Sequence, residues 1–290
     1  MPVATIFLAN RECPWRCVMC DLWRNTLAEP TPSGAIPAQI EYALEQLRRV
    51  PHTSGVPLLD EACVGFRAIK LYNAGSFFDP HAIPPEDHLA ITDAVRTFSR
   101  VIVECHPALV SDAVLRFRDL LSSQLEVAMG LETANPDVLE KLNKRLTLDQ
   151  FRTAAEFLRR NTIDLRVFIL VQPPFQRADE SLFWAERSLD FAFNCGATAA
   201  TLIPTRGGNG AMETLAVAGE FTPPALATLE AAVDYGLSLG RGRVFSDVWD
   251  LPRPFDCPFC RDARVARLRA INLSQTSTPR ITCDSCGGRS

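Results

Sequence analysis

The stretch Cys13-Pro14-Trp15-Arg16-Cys17-Val18-Met19-Cys20 sets three cysteines in a C-x3-C-x2-C array directly after an apolar run at residues 3–9. Three thiolates on one short loop can face three irons of a cubane cluster, for which thiolates are the usual ligands. The fourth iron then has no protein ligand. A metal with an open position can bind and activate something. The competing reading is a structural zinc loop or a group of reduced thiols. Zinc normally takes a fourth N or S ligand, yet neither a His nor another Cys follows Cys20 before His52.

A chain of 290 residues is long enough for one large barrel or two modest domains. Its ten cysteines are not those of a small disulfide scaffold, because seven of them fall in metal-like spacings. No run is long enough to cross a membrane, and the first nine residues lack the basic start of a secretory signal, so the expectation is a cytoplasmic protein. A formal charge of −4 gives no general attraction to nucleic acid. The charge is uneven: residues 253–290 carry seven Arg against three Asp.

Along the chain, strand-like and helix-like segments alternate. Apolar runs at 3–9, 66–72, 101–105, 125–131, 165–171 and 197–203 read as buried strands, and 244–245 as an added edge strand. Helical patterns follow at 37–50, 86–98, 110–121, 135–142, 147–160, 180–194 and 223–239, with Thr147 to Gln150 forming a capping-box pattern. Residues 52–63 read as a surface insertion in which Cys63 is incidental. Six β-α units in one direction predict an α/β fold, a parallel sheet with helices outside. In such folds functional residues gather beyond the carboxyl ends of the strands.

The tail carries a second metal signal. Cys257-Pro258-Phe259-Cys260 and Cys283-Asp284-Ser285-Cys286 are paired C-x2-C knuckles, suited to zinc or to an auxiliary 4Fe-4S cluster. The chain between them reads as a hairpin, and a module so short would draw folding energy from its metal. The expected division is therefore residues 1–250 as the α/β domain and 251–290 as a four-cysteine metal ribbon.

The cysteine loop resembles that of the radical S-adenosylmethionine (radical SAM) superfamily, and six β-α units match its partial (β/α)6 TIM-like barrel. The phrases Tyr72-Asn73-Ala74-Gly75-Ser76, Val103-Glu104-Cys105-His106-Pro107, Gly130-Leu131-Glu132-Thr133 and Val171-Gln172-Pro173-Pro174-Phe175 are similar to the branch holding the Elongator catalytic subunit and the methylthiotransferases. Within it they look most like the radical enzymes of archaeosine synthesis, which convert a lysine adduct of 7-deazaguanine in tRNA to an amidine. The resemblance implies a 4Fe-4S cluster on Cys13, Cys17 and Cys20. It also implies S-adenosylmethionine (SAM) on the open iron, cleaved reductively to a 5′-deoxyadenosyl radical. By position it implies cofactor contacts at Glu132 and at Lys144 or Arg145. Placement at strand ends adds Asn73, Gly75 and Ser76, where the chain departs from the family's Gly-Gly-Glu-type segment, together with Glu104, Gln172 and Pro204. The contact at Met19 stands where the family more often has an aromatic. A basic residue suits the cofactor carboxylate, which needs a charge-assisted partner.

The partners implied are a flavodoxin or ferredoxin as electron donor, an enzyme that supplies the modified substrate, and tRNA, met directly or through that enzyme. Two other readings stand beside this one. The first is radical modification of a peptide or small metabolite, and the second a non-catalytic iron–sulfur or zinc protein that binds nucleic acid.

Overall fold

The computed structural model describes residues 3–49, 66–249, 251 and 257–286. The expected insertion at 52–63, with Cys63, lies outside the described residues. The chain divides into two compact bodies.

The first body comprises Met1–Pro14, Leu22–Met129 and Phe157–Asp164. Its strands β1 (Val3–Leu8), β2 (Ala68–Asn73), β3 (Arg100–Glu104) and the first six residues of β4 (Gln124–Glu132) lie side by side in chain order and pair in parallel. Helix α1 (Ala35–Arg49) crosses from β1 to β2, α2 (His88–Ala94) from β2 to β3, and α3 (Asp112–Leu120) from β3 to β4. Alternation in β1 explains its placing: Ala4, Ile6 and Leu8 are buried, whereas Thr5 and Phe7 are exposed. Helix α1 buries Ile36, Pro37 and Ile40, one turn of an amphipathic face. Pro37 sits in its first turn, where a missing N–H costs nothing. Helix α2 is shorter than the sequence pattern at 86–98 suggests, because a 3-10 turn at Pro85–Asp87 replaces its start and the helix ends at Ala94. At the foot of the strands, Arg100 pairs with Glu126, which is fully buried, at 2.9 Å and also with Asp164.

The second body comprises Trp15–Asp21, Gly130–Glu156 and Leu165–Ser290. Strands β5 (Asp164–Val171), β6 (Ala199–Pro204) and β7 (Arg243–Ser246) are again parallel and in chain order. Helix α4 (Pro136–Lys141) is capped as its sequence suggests: Asn135 Oδ1 accepts from the N–H groups of Asp137 and Val138. The start of α5 (Leu148–Arg160) is a capping box, in which Gln150 N donates to Thr147 Oγ1 at 3.2 Å and Thr147 N to Gln150 Oε1 at 2.9 Å. Helices α6 (Ser181–Asn194) and α8 (Leu226–Ser238) pack on each other, and both contact β6. The glycine-rich stretch after β6 also holds a short helix, α7 (Ala211–Val217). The fold is thus parallel α/β, as expected, with β7 as the added strand.

The tail corrects one expectation. The segment between the knuckles is not a hairpin but the helix α9 (Arg261–Ser274). Val265, Leu268 and Ile271 recur every three residues and are buried, a spacing that a strand would send to alternating faces. Arg264 and Arg267 share that buried face and hide its apolar stripe from a hydropathy reading.

Candidate functional site

The cysteine loop is shared between the bodies, Cys13 belonging to the first and Cys17 and Cys20 to the second. All nine described cysteines are outside disulfides.

In the first body the loop is built against the end of β2. Asn10, fully buried, accepts from Ala74 N and donates to Ala74 O, both at 3.2 Å, and also donates to Arg11 O. This pair of hydrogen bonds to one residue fixes the exit of β1 beside that of β2. Gly75 follows at φ +133°, where a Cβ would stand 3.1 Å from that of Cys13. Only glycine lets the backbone approach the cysteine so closely. Beside it, Asn73 is 3% exposed, and both atoms of its amide head lack a hydrogen-bond partner. Native proteins leave few such groups, so the orphaned amide has hydrogen-bonding capacity that a ligand could take up. Ser76 differs: its hydroxyl donates toward Cys105 Sγ at 3.5 Å and accepts from His106 N at 3.3 Å. Burial pushes the Cys105 thiol up to about 12, against the lowering effect of Ser76, which makes it an inert packed group. His106 Nδ1 accepts from Ala108 N at 3.1 Å and so caps a turn. Glu104 ends β3 half-buried, and its carbonyl accepts from Phe77 N at 2.8 Å.

In the second body the rest of the loop is held by two asparagines. Asn143 Nδ2 donates to the carbonyls of Trp15 and Arg16 at 3.2 and 3.1 Å. Asn209 Nδ2 donates to those of Val18 and Cys20 at 2.7 and 3.2 Å, while its Oδ1 accepts from Met212 N at the start of α7. Val18 N donates to Leu142 O at 3.0 Å. The next residue, Met19, packs on Val138, Leu142 and Leu170 together with Phe175 and Ile203, an apolar floor at the ends of β5 and β6.

At the end of β4, Glu132 and Lys144 form a buried ion pair, Nζ to Oε1 2.7 Å. A Cβ on Gly130 would lie 2.2 Å from that oxygen and 2.8 Å from the ammonium, so this glycine makes the room for the pair. Glu132 has φ +66°, an uncommon conformation for a non-glycine residue and one that collects at functional sites. Of the two candidate basic residues Lys144 is buried, whereas Arg145 is exposed. Gln172, also left-handed at φ +55°, donates to both oxygens of Thr222 at 2.6 Å. Its amide nitrogen therefore braces the loop before α8. Pro204 is buried at the end of β6, opposite Val171.

The four tail cysteines converge in the second body. The Sγ atoms of Cys257, Cys260, Cys283 and Cys286 all lie within 4.8 Å of one another. Cys257 to Cys283 and Cys260 to Cys286 are each 3.8 Å. Burial pushes the Cys260 thiol up to about 11, whereas the amide of Cys286 draws Cys283 down to about 7. Arg264 Nε donates to Cys260 Sγ at 3.3 Å. Sequence reasoning missed Asn10, Asn143, Asn209 and Arg264.

No protein-family model matches the chain. It is 23% identical to archaeosine synthase subunit beta of Methanosarcina acetivorans, over 97% of this chain and 81% of that protein. Against the subunit of the same name from Thermococcus kodakarensis it is 29% identical, over 61% of this chain and 55% of the relative. An uncharacterised protein of Methanocaldococcus jannaschii is 24% identical over 77% of this chain, a match spanning 61% of that relative. Among solved structures, Elp3 of Methanocaldococcus infernus superposes with TM-score 0.56 at 14% identity, over 88% of this chain and 58% of its own. Escherichia coli HemN, described as a radical SAM enzyme, gives 0.51 at 13%, over 82% and 52%. In fold the chain is thus similar to Elp3 and to the radical SAM enzyme HemN, and in sequence it is similar to proteins named archaeosine synthase subunit beta.

Proposed function

We propose that Cys13, Cys17 and Cys20 ligate three irons of a 4Fe-4S cluster and that SAM takes the fourth through its amino and carboxylate groups. What this assembly supplies when bound and reduced, by a flavodoxin or ferredoxin, is a 5′-deoxyadenosyl radical that removes hydrogen from a substrate C–H. The observation that carries the reading is the orphaned amide of Asn73 beside Gly75 and Cys13. An amide offers one acceptor and two donor hydrogens, which matches a bound amino acid moiety. Glu104 accepts from the ribose hydroxyls or the ammonium. Lys144 supplies the positive charge for the carboxylate and is held by Glu132 until the cofactor arrives. Met19 and its apolar neighbours give the adenine ring a soft, dry surface, and Pro204 extends it. These residues position the reactants and exclude water, while the cofactor carries the chemistry.

The substrate is a lysine-modified 7-deazaguanine in tRNA, presented with a partner subunit. Relatives named as a subunit of archaeosine synthase support this. The loaded protein should convert such a tRNA to the amidine product in the presence of the partner. If SAM is cleaved but that tRNA is untouched, the substrate reading is wrong and the radical reading stands.

The four tail cysteines hold one zinc ion. A tetrahedron with Zn–S bonds of about 2.3 Å has edges of about 3.8 Å, which is the Cys257–Cys283 and the Cys260–Cys286 separation. Thiolates on the separate irons of a cubane stand roughly 6 Å apart, beyond the 4.8 Å limit of this group. Metal analysis should give about four irons and one zinc per chain. About eight irons and no zinc would replace this reading with two clusters.

A further inference from the structure

Arg264 is 7% exposed and donates in two directions, from Nε to Cys260 Sγ at 3.3 Å and from Nη1 to Glu230 Oε2 on α8. Glu230 is 1% exposed and its other oxygen accepts from Arg267 Nη1 at 3.3 Å. Arg267 then reaches Asp234 Oδ1 at 2.7 Å and the carbonyls of Thr278 and Pro279. Arg280 closes the group on Asp234 Oδ2 at 3.0 Å. One network, buried except at Arg280, thus places both knuckles, the first through Arg264 and the second by gripping the chain that returns to Cys283. Three guanidinium groups face two carboxylates here, and a tetrathiolate zinc carries a formal charge of about 2− that offsets the surplus.

The far end of α9 is tied to strand β7. Gln275 accepts from Val244 N at 2.8 Å and donates to Val244 O at 3.0 Å. Asn272 does the same with Ser246 N and O, both at 2.8 Å. Two side-chain amides thereby act as a neighbouring strand for backbone that would otherwise be an open edge.

We infer that the four-cysteine site is a metal-operated clasp on β7, with Arg264 as the positioning residue that links metal occupancy to α8 and α9. Metal fixes the knuckles, the knuckles fix Arg264 and the start of α9, and α9 carries the amides that close the strand. This rests on the single-metal reading of the tail cysteines and is independent of the radical chemistry.

The test is hydrogen exchange at the Val244 and Ser246 amides of the full chain, as zinc protein and after zinc is stripped by a chelator. In wild type, stripping should accelerate both amides at least about tenfold. Arg264→Gln should bind zinc roughly 10–100-fold more weakly and, zinc-saturated, should exchange at these amides nearly as fast as when stripped. The idea is overturned if the wild-type amides ignore the metal, or if Arg264→Gln keeps both the wild-type zinc affinity and the full metal response. Glu230→Gln, which removes the charge but keeps the shape, should also lose the response, and it decides the matter if Arg264→Gln does not fold. Zinc content below one per chain in wild type would instead reject the single-metal reading.

Discussion

Gly130 and Gly75 are where single atoms decide most. A methyl group at Gly130 would fall 2.2 Å from Glu132 Oε1 and 2.8 Å from Lys144 Nζ. Both are side-chain tips and can move, so Gly130→Ala should fold, but with the ion pair displaced from the end of β4. SAM binding measured by calorimetry should weaken about tenfold or more, with thermal unfolding shifted by only a few degrees. Unchanged affinity would separate the Glu132–Lys144 pair from the cofactor. His88 is a second test at this scale. It lies among Phe77, Phe78 and Phe117, stacked on Phe77 at 5.9 Å. Its pKa is lowered by burial and by Arg116, against the opposing pull of Asp87 and Glu86. The unfolded chain therefore takes up this proton first. Stability should be unaffected by His88 above about pH 6.5 and should fall on acidification below it, by at most about 1.4 kcal/mol per pH unit for one proton. In denaturant titrations from pH 7.5 to 5, His88→Phe should show a shallower loss than wild type.

The elements that hold the cysteine loop were legible as helices and strands, but their bonds to the loop were not. Strand runs, the Asn135 cap and the Thr147–Gln150 capping box follow from local spacing, and the chain adopts them. Asn143 and Asn209 act across 127 to 191 residues of sequence, a distance over which no periodicity carries information. Helix α9 was unreadable for another reason: its inward face carries Arg264 and Arg267, which are buried only because Glu230 and Asp234 on α8 meet them. Asn209→Ala tests the element-scale claim. It frees two loop carbonyls and the first turn of α7, at a cost of about 1 kcal/mol. Far-UV circular dichroism should be unchanged while reconstituted iron falls well below about four per chain. Full iron loading would show that the loop needs no such brace.

Across the whole chain, the two cysteine groups are built for opposite ends. The tail set is complete, with four sulfurs within 4.8 Å, and it leaves a metal no open position. The first set offers three cysteines in the proposed cluster, and beside Cys13 stand a glycine at close approach and an orphaned asparagine amide, as the proposal of a bound cofactor requires. The parallel α/β plan places Asn73 and Gly75 at the end of β2 and Glu132 at the end of β4, where such folds keep their chemistry. Among the described residues no helix is long and apolar enough to cross a membrane. The most direct measurement is 5′-deoxyadenosine formed from SAM by anaerobically reconstituted, chemically reduced protein. Wild type carrying about four irons and one zinc should accumulate the product, and Cys17→Ala should make none while retaining its zinc. Fully loaded wild type that forms no 5′-deoxyadenosine would contradict the account.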